Sequence, residues 1–367
     1  MLMLCGTIQQ EDTCYKDIIC IFIQKFNYIM KDVRFITCCP SDTYYTWQVH
    51  LWLESLKDIS KSKKAIILIY EPKNRPYNYK WDKIIKLYPE AQFKFIRESD
   101  NENMNKYISI YIPIIRPYMM WKYFKENPLM SEHSFFYCDS DILFTKDFSI
   151  DKFLDDDINY LSDTNSYINS DYFDSKEKDV LPEKLEEFKT RDILSEITSL
   201  IGINRKTAEK FKLHSGGAQY LLKTTDHAFW FKVMNDCLLI RQYLQKVNRD
   251  FFENESKGYQ SWCADMWAVL WNLWFKGQET KVIPELDFMW ASSNIKELET
   301  KTIFHNAGIT GEFMNGFDCF YKGKYHRGED PTLDLDKVLN NEKSKQQGTY
   351  YYANKLRELK NKYKLDY

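Results

Sequence analysis

The 367-residue chain is expected to fold as an α/β protein, with a mixed, mostly parallel sheet flanked by helices and a helical insertion. Three observations carry that expectation. A wholly apolar run at 65–70 and a nearly apolar one at 134–138 have the length of strands buried on both faces. Segments with helical spacing alternate with them along the chain. The composition, 44% hydrophobic, 16% aromatic and 28% charged, rules out a disordered or fibrous polypeptide.

The elements follow in order. Residues 33–39 read as a strand that Pro40 stops; Ser41 or Asp42 then caps a helix whose apolar spacing covers 47–56. The run 65–70 is a buried strand, and Pro72 and Pro76 punctuate the loop after it. A short amphipathic helix over 81–87 precedes a strand at 92–96. Residues 110–124 are spaced as a helix with Pro113 and Pro117 near its start. Ser134 to Cys138 is another buried strand and 159–162 a further one. Between about 165 and 210 charges crowd, and Ile193, Ile197, Leu200 and Ile201 recur at helical spacing. That stretch reads as an insertion over one face of the sheet, an ordinary solvated helical connection being the alternative. Gly216 and Gly217 form a turn entering a strand that ends at 222. Helices follow at 227–246 and 260–275, the second carrying Trp262, Trp267, Trp271 and Trp274, with short strand signals at 282–283 and 302–304. The tail, 350–367, reads as a terminal helix packed on the domain, with contact to a polyanion as the alternative.

Charge and cysteine usage narrow the function classes. Fifty-one Lys and Arg against 53 Asp and Glu give a formal charge of -2, so no global positive field implies tight non-specific nucleic-acid binding. Only a local basic groove remains open for such a partner. The nine cysteines are odd in number and show no CxxC pairing, which points to reduced, mostly buried thiols in the cytoplasm rather than a disulfide framework or zinc site. The apolar run 18–22 follows acidic residues and lacks a cleavage-like site, and no uninterrupted 18-residue apolar stretch occurs. No transmembrane segment or anchor is expected.

The strongest chemical feature is Asp139-Ser140-Asp141 between two apolar runs, at the expected carboxyl end of a strand. Strand alternation would put Asp139 and Asp141 on one face and turn Ser140 away. Two carboxylates so close in a partly dry site repel unless positive charge lies between them. A hard divalent cation that completes its shell with phosphate oxygens satisfies both, and a nucleoside diphosphate is held this way. Open α/β sheets bind ligands at the carboxyl ends of their strands, which favours that reading over a structural acid pair. His305 follows a strand-like run and opens a polar turn containing Gly308; it offers a further metal ligand or an ordinary structural histidine. The basic loop around Lys324, His326 and Arg327, with Lys322 beside it, would neutralise a departing phosphate, or simply be solvated. Gly216 and Gly217 let the backbone approach a ligand closely, although the GxxxxGK[ST] spacing is absent. Asp265 heads an aromatic helix, where burial would raise its carboxyl toward a useful base and the helix N-terminus would counter that; structural capping is the alternative. Trp262 and Trp267 offer flat surfaces for a sugar or a base, with core packing as their other use.

Residues 137–143 resemble the DxD segment of metal-dependent nucleotide-sugar glycosyltransferases of the GT-A (Rossmann-like) fold. The resemblance spans roughly 33–330. It implies a single catalytic domain over 1–330, interrupted by the insertion at about 165–210 and followed by a helical tail over 331–367. By that likeness Asp139 and Asp141 contact metal, ribose and diphosphate, with Ser140 between them. Thr37, Ser41 and Asp42 border the nucleotide base, Gly216 and Gly217 line donor and acceptor, and His305 is the C-terminal metal ligand. Asp265 faces the acceptor, as base if the anomeric carbon inverts and as an orienting group if its configuration is retained. The implied donor is a UDP-sugar, with Mn²⁺ or Mg²⁺. Residues 262–268 are also similar to the tryptophan–acid–methionine–aromatic helix of hydroxyproline O-arabinosyltransferases and related viral enzymes, with Asp265 where Glu is expected. This second likeness implies arabinose as the sugar and hydroxymethylcytosine in phage DNA as an acceptor, beside protein or glycan. It also implies the cytoplasm of a bacterium or virus-infected cell. Two readings of other classes stand against it: a metal-dependent nucleotide phosphotransferase or hydrolase, and a catalytically inert sugar- or DNA-binding protein.

Overall fold

Apolar runs too short for helices become the strands of the molecule. The structure, a computed structural model, describes residues 32–73, 75–97 and 102–364; the apolar run at 18–22 and Cys5, Cys14 and Cys20 lie outside them. The strands are β1 (Val33–Pro40), β2 (Ala65–Glu71), β3 (Gln92–Arg97), β4 (Ser134–Cys138), β5 (Ile142–Phe144), β6 (Asn159–Asp163), β7 (Gly216–Leu222), β8 (Thr280–Val282), β9 (Phe288–Trp290) and β10 (Ile303–His305), followed by a small hairpin of β11 (Phe313–Met314) and β12 (Phe317–Asp318). The main sheet has seven strands in the order β3-β2-β1-β4-β7-β6-β8. Its first four run parallel, β7 is antiparallel to both β4 and β6, and β8 pairs parallel with β6. This is the mixed, mostly parallel α/β sheet expected from the sequence. A second sheet has the order β5-β10-β9.

The main helices are α1 (Thr43–Asp58), α2 (Lys80–Leu87), α3 (Glu102–Ile110), α4 (Ile115–Glu126), α5 (Ile193–Ile201), α6 (His227–Phe251), α7 (Ala264–Phe275) and α8 (Gly348–Tyr363). The helix expected at 110–124 is instead two helices joined by a short 3-10 turn, Ile112–Ile114. Tyr111 is extended at the break (φ -148°, ψ 88°), and Pro113 brings no N–H to continue a helical ladder. The segment from 165 to 214 is helical and short-pieced, with a helix where the spacing of Ile193, Ile197, Leu200 and Ile201 suggested one, but it rests chiefly on other helices. α5 packs on α6 and α7, and α7 on β7. Phe173 anchors the insertion, its ring 5.2 Å from that of Trp267.

Gly216 and Gly217 are not a turn but the first residues of β7. A Cβ on Gly216 would stand 2.2 Å from the Ser162 carbonyl, and one on Gly217 2.6 Å from Met266 Cε. Both are glycine because backbone and helix approach β7 too closely for a side chain. A second apolar core, including Trp47, Leu51, Phe304, Phe320, Tyr352 and Leu356, joins α1 and the second sheet to α8. The helical tail is thus packed, and its Lys362 is spent on Glu54. The six described cysteines are free and buried. No described helix is long and apolar enough to cross a membrane.

Candidate active site

The acidic pair sits in a tight turn rather than in a strand. β4 stops at Cys138, residues 139–141 turn, and β5 leaves the main sheet to pair antiparallel with β10, in the register Ile142 opposite His305. The turn, not strand alternation, therefore brings Asp139 and Asp141 together, and Ser140 lines the same cavity instead of facing away. The Asn306 amide donates to the Asp141 carbonyl at 3.0 Å and locks the turn onto the end of β10. His305 Nε2 lies 3.4 Å from Asp141 Oδ1 and 3.7 Å from Asp139 Oδ2. Its ring is stacked on Trp290, with centroids 6.0 Å apart and planes within 9°. One ligand atom from each of Asp139, Asp141 and His305 falls within 4.8 Å of the others.

Two cations compensate this acid pair. The Lys322 ammonium donates to Asp141 Oδ2. The Arg116 guanidinium, from α4, donates through Nη1 to Asp139 Oδ1 and through Nη2 to Asp265 Oδ2. Burial works to raise the Asp141 carboxyl, yet Lys322 and His305 outweigh it and hold the group well below the usual carboxylate range. Burial works to lower Arg116, and Asp139 and Asp265 overcome it, holding the guanidinium firmly charged. At Asp265 burial dominates over Arg116, so this carboxyl lies above its ordinary value.

The donor set fits a divalent cation. Two carboxylates and an imidazole nitrogen converge on one point, already held together by positive charge. Oxygen ligands suit Mg²⁺ and Mn²⁺ alike, and the imidazole suits Mn²⁺ better.

These groups line a cavity of about 330 Å³. Cys38, Pro40, Tyr44, Tyr45 and Gln48 line it from β1 and α1, Ile112 and Pro113 from the α3–α4 junction, Tyr167 from the turn after β6, and Trp262 and Met266 from the head of α7. Ala218 also lines it, at a φ of 69° that side-chain-bearing residues rarely adopt. A larger cavity of about 450 Å³, between α1, β5 and α8, includes none of the acid pair, His305, Arg116 or Lys322.

No family model matches the chain, and no curated protein matches its sequence. Several solved structures are similar to it at low identity. The galactosyltransferase LgtC, in complex with donor and acceptor sugar analogs, is 10% identical with a TM-score of 0.37, over 77% of this chain and 90% of that one. Mouse xyloside xylosyltransferase 1 is 8% identical with a TM-score of 0.34, over 76% of this chain and 98% of that one. Core-mannan synthase A from Aspergillus fumigatus, in an Mn/GDP form, is 10% identical with a TM-score of 0.30, over 68% and 71%. Likeness of this degree decides nothing about activity.

The remaining candidates from the sequence fall in different places. Thr37 is fully buried and Ser41 uses its carbonyl to hold Asn78 and Trp81, while Cys38 and Pro40 form the cavity wall there. Asp42 pairs with Arg75. Asp265 has 5% of its side chain exposed and lies behind Arg116, off the cavity wall, with Oδ1 3.3 Å from the Tyr111 hydroxyl. Of the basic loop, Lys322 reaches the cavity. Lys324 pairs with Glu312 and Asp334, and His326 contacts the Gly323 carbonyl; neither these two nor Arg327 lines the cavity. Among glycines 216 and 217 and Ala218, only Ala218 lines it. Arg116 carried no sequence signal beyond a charge in an apolar helix.

Proposed function

We propose that the protein is a metal-dependent glycosyltransferase that takes a UDP-sugar and transfers the sugar to an acceptor hydroxyl. The observation that supports this most is the convergence of Asp139, Asp141 and His305 with Lys322 and Arg116 in one cavity at the carboxyl end of parallel strands. When bound, the divalent cation supplies positive charge that couples the acid pair to a diphosphate. Asp139, Asp141 and His305 hold it. Lys322, now on Asp141, is placed to turn to a phosphate oxygen and stabilise the leaving group. Arg116, fixed by Asp265, keeps a second positive charge on the wall.

In the transfer, the donor C1–O bond breaks with its electron pair leaving on the diphosphate. The acceptor oxygen forms the new bond to C1 and gives up its proton. The only carboxylates among the described lining residues are Asp139 and Asp141. Asp265, engaged by Arg116 and off the wall, is read as a positioning group rather than the base. The departing phosphate oxygen then takes the proton, and the anomeric configuration is retained. Arabinose as the sugar, hydroxymethylcytosine as an acceptor and a cytoplasmic site of action rest on sequence resemblance and composition alone.

The experiment screens UDP-sugars against acceptors by mass spectrometry, with Mn²⁺ or with chelator, and reads the anomer of the first-formed product by NMR. Metal-dependent transfer that speeds up with the right acceptor supports the reading. Nucleotide release unchanged by every acceptor points to a phosphohydrolase, and UDP binding indifferent to chelator removes the metal role. An inverted product returns Asp265 to the role of base.

A further inference from the structure

We infer that the acceptor is an uncharged glycan, one sugar ring of which lies flat on Trp262; this rests on the transferase reading above. Trp262 sits in the 3-10 turn Ser261–Cys263 that opens α7. The tryptophans that follow, Trp267, Trp271 and Trp274, are all buried, yet Trp262 is 56% exposed on the cavity wall. A large indole left in water at a cavity opening is stabilised by a ligand that covers it. Its position is fixed from behind: the Tyr111 hydroxyl donates to the Trp262 carbonyl at 2.7 Å. The Tyr167 ring stands 6.4 Å away at 32°, and Ile112, 52% exposed, and Pro113 continue the apolar wall.

The charge pattern selects the occupant. Ile112, Pro113, Tyr167, Trp262 and Met266 carry no charge; of the lining cations, Arg116 is held between two carboxylates and Lys322 is assigned to the donor diphosphate. Arg241 lies off this wall, its guanidinium 4.7 Å from the centroid of the Tyr111 ring. A nucleic-acid acceptor needs Lys and Arg free to meet its phosphates, and this wall offers none among the described residues. A sugar ring needs something else: a flat apolar surface for its C–H face, with polar groups at the rim for its hydroxyls. Trp262 supplies the surface. Trp262 lines the same cavity as Arg116, Asp139, Asp141 and His305, so a ring on it shares that cavity with the metal cluster.

The test is saturation-transfer difference NMR on the full chain with Mn²⁺ and UDP. The probes are lactose, maltose and the methyl glycosides of glucose, galactose, mannose and xylose, beside a hydroxymethylcytosine oligonucleotide and a hydroxyproline peptide. The expected result is saturation of one ring face of a glycoside, at least about tenfold weaker in Trp262→Ala and largely kept in Trp262→Phe, with UDP affinity equal in all three proteins. Trp262-dependent saturation of the oligonucleotide or peptide would overturn the proposal. So would glycoside binding that survives Trp262→Ala unchanged, or a wild-type protein that binds UDP with Mn²⁺ but no glycoside. A wild-type protein that fails to bind UDP with Mn²⁺ rejects the transferase reading, and this proposal falls with it.

Discussion

Asp141 and Asp236 are carboxylates of nearly equal burial, with 6% and 7% of their side chains exposed, and each meets a lysine ammonium. Their acidities move in opposite directions. Asp141 faces Lys322 and His305, which together overcome the burial penalty and hold it low. Asp236, at the α6–α7 interface, faces Lys232 at 2.6 Å and the Asn272 amide at 2.8 Å, and burial wins, so its carboxyl is raised. The difference lies in where the countercharge comes from. Lys232 is one helical turn away on the same helix, and such a pair adds little. Lys322 and His305 are distant in sequence: the second sheet brings His305 to Asp141, and the 3-10 turn Lys322–Tyr325 after the β11–β12 hairpin brings Lys322. Burial alone marks neither carboxylate as functional; imported charge distinguishes the one in the cavity.

The largest expected effect tests that distinction directly. Asp141→Asn should lower transfer by about a thousandfold and abolish Mn²⁺ binding measured by calorimetry, since it removes a ligand from a three-residue donor set. Comparable activity in wild type and Asp141→Asn would break the comparison. Arg116→Met comes next. It leaves Asp139 and the buried Asp265 facing each other without their shared cation, and should cost about 3–5 kcal/mol in urea unfolding. Adding Asp265→Asn should restore part of that stability without restoring activity.

A buried base extends the comparison. His50, on α1, is packed against the rings of Tyr88 and Tyr363, and burial drives its pKa from 6.5 down to about 3, with Lys362 and Lys57 pushing the same way and Glu54 opposing. The folded chain thus holds His50 neutral where the unfolded chain would protonate it. Stability from this group is complete above pH 6.5 and is lost as pH falls toward 3, at about 1.4 kcal/mol per pH unit. His50→Phe should flatten that part of the acid unfolding profile. The smallest effect is expected at Asp236→Asn. The amide still accepts from Lys232, so unfolding should change by less than about 1 kcal/mol at pH 7 and activity by less than about twofold. The raised carboxyl favours folding at low pH and loses that contribution as pH rises through its folded value, so the variant should show a shallower decline over that range. A large loss of transfer in Asp236→Asn would mean that the α6–α7 interface is coupled to the cavity.

Particular residues show which parts of the fold were legible. The strand Ser134–Cys138 and the helix Ile193–Ile201 emerge where the apolar pattern put them, because a buried run and a one-sided stripe are both local signals. The strand Phe288–Trp290 was invisible: three residues beside Pro284 carry no period. Alternation misplaced Ser140, because it assumes a strand that in fact ends one residue before the acidic pair. The two glycines were read as a ligand cradle although their small size serves the packing of Ser162 and Met266. The acid pair and His305 stood out in the sequence and converge in the fold; Arg116 did not stand out, because one charge in an apolar helix looks the same whether it meets solvent or two carboxylates.

The sequence by itself determined the long strands of the main sheet, its mostly parallel order and the presence of two acids after a buried strand, since apolar run length and proline stops act within a few residues. Only the tertiary structure decided which cations meet those acids, which loop residues line the cavity and that Asp265 lies behind Arg116 rather than on the wall. The meeting of the acid pair with His305 depends on β5 leaving the main sheet to pair with β10. That is a contact between distant segments, and its energy comes from the core that closes over both, not from any local preference of either.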